Sequence, residues 1–504
     1  MSESKVSGFL KESLAPEIAQ GFMAPAMTRS FPAVFPLLCA INKAHVVMLA
    51  RQKLIDAAVA RALLHCTLDM EKEGTASVPL DALREEAYFN FEAEVIRRLG
   101  PDVGGRMHIA RSRNDLKATF DRLRSRNCAL AIMEETAALR EKLLAAAERF
   151  ADCVMPGYTH MQPAQPITFG YYLLGIAAGL ERDYGRIAGC WERLNRCPMG
   201  AGALAGTTFP IDRDDVAALL GFDGPVVHAL DAIAGRDTLI ELVAASTLLT
   251  TTIGRMAQDF YIMTTYEVAT LDLPDRVAIT SSIMPQKKNM SALENLRGRP
   301  AQLAGALMTT LAGFKATSYS HAHDGSTDAL RWVWDALDEV ALALPVASLI
   351  VETAQPRRER MLDLARKNYS TATDLADALV RVGGLSFRDA LQVVGRVVRL
   401  ALEEGRSADQ IDAALVERAG LEVLGKPVTL DASVVRDAVD PARAVESRRN
   451  TGGPSQHDIA QMLEASLARL ANDRETLRRR HDGVAAAEQK LDEAVESHLA
   501  EGTA

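Results

Sequence analysis

Apolar residues recur at helical spacing through most of this chain. The clearest run is Leu249, Ile253, Met256, Phe260 and Met263, which step by 4, 3, 4 and 3, the seam of a helix packed nearly parallel to its neighbours. Between Glu241 and Arg255 the same segment is apolar on almost every side. A helix of that kind lies inside something, and a bundle shared between subunits is the expected interior. Long helical patterning runs from about 116 to 355 and predicts a central bundle. Residues 1–115 mix short helices with loops rich in Pro and Gly. Residues 356–504 read as a smaller C-terminal helical unit, broken at Gly383-Gly384 and at Gly452-Gly453-Pro454, with Thr373 as a candidate N-cap before Asp374, Leu375 and Ala376. No alternating run is long enough to build a substantial sheet. The pattern therefore predicts an all-α protein in three parts.

Residues 153–180 carry no charge, but Pro156, Pro163 and Pro166 interrupt the first half. A membrane helix needs about 20 continuous apolar residues, so this stretch is expected to be a loop running into a buried helix, and no membrane association is predicted. Composition agrees with a helical globular protein: 48% apolar, 24% charged and only 5% aromatic, with the Ala and Leu that helices favour. A net charge of −9 argues against a nucleic-acid partner, which selects a basic face; the run Arg478 to Arg480 is expected to be a solvated helix face. The six cysteines form no Cys-x-x-Cys pair and have no His at ligand spacing, which predicts no metal site and a reducing compartment. The N-terminus has no apolar export core, so a cytoplasmic location is expected.

Chemistry concentrates in Thr280-Ser281-Ser282-Ile283-Met284-Pro285-Gln286-Lys287-Lys288-Asn289 within the loop 275–292. The ten residues offer hydroxyls, two ammonium groups and two amides with no carboxylate, a set suited to an anionic substrate. Two further segments are rich in donors: His108-Ile109-Ala110-Arg111-Ser112-Arg113-Asn114-Asp115 and Pro156-Gly157-Tyr158-Thr159-His160-Met161-Gln162.

The ten-residue loop resembles the signature loop of the fumarase/aspartase superfamily. The other two segments look like the first and second substrate-binding segments of its argininosuccinate lyase branch, and Gly202-Ala203-Leu204-Ala205-Gly206 and Ala372-Thr373-Asp374-Leu375-Ala376 match that branch as well. The resemblance implies a three-domain fold whose central helices form a 20-helix core in a homotetramer, each active site drawing on three chains. It implies reversible, cofactor-independent release of fumarate from a substituted succinate by anti elimination. The proton leaves a carbon beside a carboxylate, so the charge must collect on an aci-carboxylate held by placed donors. By the resemblance Ser281 is the base, His160 the proton-transfer partner or an orienting group, and Lys287, Asn289 and Ser282 hold the carboxylate that gains charge. Thr159 would hold a carboxylate, Ser112, Arg113 and Asn114 the other one, and Gln162, Met284 and Tyr319 complete the binding set. Arg111 and the pair Arg236-Asp237 match the branch in either a structural or a substrate-binding role. His45, His321 and His323 are expected to be background, and Lys288 a solvated neighbour.

The amine side departs from the branch. Leu38 stands where an acidic residue is usual, Asp324 and Thr327 where Gln and Lys are usual, and Met290 where a proline or small polar residue is usual. These replacements predict a partly greasy amine pocket and a substrate of the N-succinylated amine or aminocarboxylate kind, such as ethylenediamine-disuccinate. Cleavage of argininosuccinate to arginine and fumarate is the alternative, and a non-catalytic structural protein on the same fold a minor one.

Overall fold

The computed structural model describes residues 12–500. Five long helices form the centre: Arg113–Arg149, Phe169–Leu194, Asp237–Met263, Ser291–Phe314 and Val333–Thr353. The predicted seam is buried at every position, with Leu249, Ile253, Met256, Phe260 and Met263 all in one apolar cluster that runs through the five helices. Complete burial of such a side chain contributes roughly 1.5–3 kcal/mol. The helix Ser291–Phe314 carries Pro300 in its interior and passes very close to Gly254, where a Cβ would stand 2.9 Å from the Pro300 ring. Helices Pro16–Arg51 and Asp237–Met263 are apolar and long enough, on composition alone, to cross a bilayer; 72% and 56% of their most apolar stretches are buried within the chain, as in core helices of a folded domain.

Part of the bundle surface stays apolar and uncovered. Leu248, Met308, Leu311 and Leu342 are exposed on three of the five helices, Met308 by 63%.

A second cluster gathers the N-terminal helices Ala24–Arg51, Ala57–Glu73 and Ala87–Leu99. A third, from Leu375 to Val439, holds the short amphipathic helices expected there. The C-terminal part is not one unit, however. Its last helix, Gln456–Ala500, leaves the small cluster altogether: Ile459, Leu463, Leu470 and Leu477 pack into the bundle, and Leu491, Ala494 and Val495 pack into the N-terminal cluster. Helix Ala372–Arg381 also begins one residue before the candidate cap, with Thr371 in the N-cap position and no side-chain capping bond.

Residues 153–168 are not a loop. Strands Val154–Thr159 and Gln162–Thr168 pair antiparallel, with Thr159 opposite Gln162 and an irregularity between Pro156 and Tyr158. The base of the hairpin backs onto the bundle, with Cys153, Met155 and Phe169 buried in the bundle cluster. A shorter ribbon pairs Ile279–Thr280 with Lys288–Asn289.

Candidate active site

The first segment begins a helix. Ser112 caps Arg113–Arg149 in a capping box completed by Asp115, so Arg113 and Asn114 stand in the first turn, where unpaired N–H groups and the helix dipole favour anions. Asn114 Nδ2 donates to the Ala203 carbonyl at 3.1 Å. Arg113 donates to Glu85 at 2.9 Å and lies over the Phe89 ring. Behind them Arg111 is buried, donating to Asn42 at 2.7 Å and to the Tyr88 hydroxyl at 2.8 Å. His45 is buried too and bonds the Ile109 carbonyl at 2.9 Å. Burial and the adjacent Arg111 hold its imidazole neutral, well below the ordinary range.

The second segment supplies a hairpin tip. His160 and Met161 are the two turn residues, with φ of +54° and +60°, the backbone of a type I′ turn that Asn and Gly usually supply. Holding two larger side chains there costs of order 1–3 kcal/mol each, and the result is a tip that lifts Thr159, His160 and Gln162 clear of the fold, all exposed.

The signature loop closes the short ribbon. Thr280 pairs with Lys288, so Ser281 and Lys287 are the first residues beyond the last rung, on opposite sides of the loop mouth. Ser281 Oγ accepts from the Met284 N–H at 3.1 Å and the Ile283 N–H at 3.4 Å. Two converging main-chain donors favour a negative oxygen. Lys287 and Ser282 are exposed and Asn289 is half-buried; the Lys287 N–H donates to the Met284 carbonyl at 3.1 Å, and its ammonium makes no hydrogen bond or ion pair among the described residues. Lys288 is exposed, as expected, but it is also an anchor. Its ammonium pairs with Asp275 at 2.9 Å and donates to the Leu273 carbonyl, fastening one strand of the ribbon to the chain that precedes it.

Tyr319 is exposed and bonds Asp231, which pushes its phenol pKa up. Arg236 does not pair with Asp237; it lies buried 3.6 Å from Asp121. His321 is held near pKa 4 by burial and by the positive field of Arg236, Lys117 and Arg113.

A cavity of about 480 Å³ opens beside Arg113, lined among others by Ser30, Glu86, Asp121, His323, Thr327 and Asp335. It combines charges of both signs with apolar residues such as Phe22, Phe120 and Trp334. Leu38 does not reach it: that side chain is fully buried in the N-terminal cluster, and the same helix presents Ser30, Ala33 and Val34 instead. Met290 packs against the bundle cluster, and Asp324 Oδ1 accepts from the Gly325 N–H at 2.8 Å; neither lines the cavity.

The three segments do not meet within one chain. Among the described residues no hydrogen bond or ion pair joins the hairpin tip or the signature loop to Ser112–Asn114, and neither lines the cavity that Arg113 lines. Two residues that the motif reading gave no role emerge as structural partners of the site. Asp115 was legible as half of a capping box, whereas the pairing of Glu85 with Arg113 left no trace in the sequence.

The family model described as "Lyase" matches residues 28–305, and that of the argininosuccinate lyase C-terminal region matches 369–446. Argininosuccinate lyase 1 of Shouchella clausii is 36% identical over 470 residues, 93% of this chain and 94% of that protein. Argininosuccinate lyase of Haloarcula marismortui is 37% identical over 468 residues, 92% of each. Among solved structures, EDDS lyase in complex with formate is 33% identical with a TM-score of 0.87, covering 97% of this chain and 96% of that one. Fold and motifs together define a fumarate-forming carbon–nitrogen lyase. The chain belongs to the fumarase/aspartase superfamily and, within it, to the argininosuccinate lyase branch.

Proposed function

We propose that this enzyme releases fumarate reversibly from argininosuccinate, leaving arginine, by anti elimination from an N-substituted aspartate. The observation that carries the chemistry is the pair of main-chain N–H groups on Ser281 Oγ, at the mouth of a loop without carboxylates. A serine alkoxide is unstable in water; those donors and the nearby ammonium of Lys287 lower its cost. Ser281 takes the proton from the carbon beside one carboxylate. The electron pair moves onto that carboxylate, held by Lys287, Asn289 and Ser282, and returns to form the double bond as the C–N bond breaks. His160 orients or supplies the proton that leaves with the amine. Ser112, Arg113, Asn114 and Thr159 hold the second carboxylate, and Gln162, Met284 and Tyr319 line the rest.

We infer a homotetramer in which three chains contribute to each site. Two observations support it: the segments stay apart within one chain, and the bundle keeps an uncovered apolar face of the kind that subunit contacts bury.

Argininosuccinate as substrate is supported by relatives of that name matched over more than nine-tenths of the chain, and by the mixed charge of the cavity beside Arg113, which suits an amine half that is itself a zwitterion. A second reading, cleavage of ethylenediamine-disuccinate or another N-succinyl amine, is favoured by the likeness to EDDS lyase and by Thr327 at the cavity wall where the branch usually carries Lys. Fumarate release from argininosuccinate, ethylenediamine-disuccinate and simple N-substituted aspartates separates them. The proposal expects the highest kcat/KM on argininosuccinate, within the roughly 10⁴–10⁸ M⁻¹s⁻¹ of enzymes on their own substrates; a higher value on ethylenediamine-disuccinate overturns it in favour of the second reading.

A further inference from the structure

We propose that Asp115 is a positioning residue of this active site: its carboxylate clamps the loop 200–206 onto Ser112–Asn114 and so fixes the donors that receive one substrate carboxylate. The inference rests on the reading above that those three residues hold a carboxylate.

Asp115 is completely buried. Its Oδ1 accepts the Ser112 N–H at 2.9 Å, which is all that a capping box requires. Its Oδ2 does something a cap does not need. It accepts the Gly200 N–H at 3.0 Å and the Gly202 N–H at 2.9 Å, both from a loop far along the chain. The loop returns the contact through the Ala203 carbonyl, which receives the side-chain amide of Asn114 at 3.1 Å. Asn114 is thus oriented by the loop, and the loop by Asp115. Two N–H groups converge on one oxygen because Gly200 and Gly202 take φ of +82° and +63°, and the Gly206 N–H closes the loop onto the Ala201 carbonyl at 2.8 Å. No Cβ fits at Gly202, where it would stand 2.6 Å from the Gly206 carbonyl oxygen. An ionised carboxylate offers lone pairs to all three donors. An amide in its place must turn an NH₂ toward at least one N–H, which leaves buried donors facing each other.

The test uses the full chain in two variants, Asp115→Asn and Gly202→Ala, with a substrate that the unaltered enzyme cleaves, well below each variant's Tm. Neither side chain touches substrate. Asp115→Asn is expected to raise KM and lower kcat/KM by about 10²-fold, the size expected when a binding group is displaced by around an ångström. Gly202→Ala shifts the loop without altering the carboxylate and is expected to raise KM in the same sense. A purely structural role predicts a lower Tm with KM and kcat unchanged, and that result overturns the proposal. Should Asp115→Asn not fold, the KM of Gly202→Ala decides alone: raised, it supports the clamp; unchanged, it removes it. An unaltered enzyme that forms no fumarate from any N-substituted aspartate instead sinks the functional reading on which this one rests.

Discussion

Ser112, Arg113 and Asn114 stand on a lattice of bonds centred on a buried carboxylate, whereas Ser281, Lys287 and Asn289 stand on a two-rung ribbon that faces solvent. The first region has its donors fixed before any ligand arrives: a helix start, a capping box, a buried carboxylate and a loop with three left-handed glycines. The second has its reactive hydroxyl oriented by two long main-chain bonds and little else. The contrast fits a division of labour in which one half of the site recognises a carboxylate with preformed geometry, while the half that handles the proton stays open until substrate and neighbouring chains cover it.

Three changes test this contrast. The largest effect belongs to Ser281→Ala. Turnover is expected to fall by about 10²–10⁴-fold or more, the usual contribution of a general base, while Tm and oligomeric state stay put because only one exposed oxygen is lost. A variant with near-normal rate would show that the proton goes elsewhere, with Ser282 or His160 next to be tested. Lys288→Met comes second. It removes the anchor to Asp275 and Leu273, so kcat is expected to drop about tenfold as the mouth of the loop loosens. Stability should change by less than about 1 kcal/mol, since the ion pair is solvent-exposed; a large fall in Tm with unchanged kcat would place Lys288 in the fold and not in the loop.

The smallest effect is a pH dependence at Asp115. Burial, set against the three N–H donors and the nearby Arg111, raises its carboxyl from the ordinary 3.8 to about 6; Cys197, itself pushed up to about 12 and neutral, is the other titratable group facing it. Because the folded value is the higher one, the folded chain binds a proton that the unfolded chain does not. This group's contribution to stability is therefore complete below pH 3.8 and lost as the pH rises through about 6. Activity should run the other way, since a neutral carboxyl gives up an acceptor that the clamp uses. KM rising as the pH falls through about 6, absent in Asp115→Asn, would mark the clamp; a KM that stays flat would detach Asp115 from binding.

The bundle was legible because its signal is periodic. The seam at 249–263 falls where spacing put it, since every turn of a buried helix repeats the same demand. The hairpin at 154–168 was not, because three prolines read as interruption and its turn uses His and Met where Asn or Gly would announce it. Chemistry followed the same rule. The donor-rich signature loop is contiguous, so its composition shows in one line of sequence. The clamp joins Asp115 to glycines some 85 residues away, and nothing local to Asp115 shows the bond to Gly200. Leu38 failed for a related reason: alignment assigns a residue to a helix, but only packing decides which way that helix turns it, and here it turns inward.

The terminal helix Gln456–Ala500 spans about 67 Å at 1.5 Å per residue, and its far end supplies Leu491, Ala494 and Val495 to the cluster begun by Phe31 and Val34. The N-terminal cluster is therefore finished by side chains synthesised more than four hundred residues later. While the chain is still on the ribosome, the N-terminal helices can gather but cannot bury their last apolar face, so that face is left for chaperones or for misplaced partners throughout synthesis. A truncation before Leu491 therefore damages the N-terminal cluster as well as the bundle.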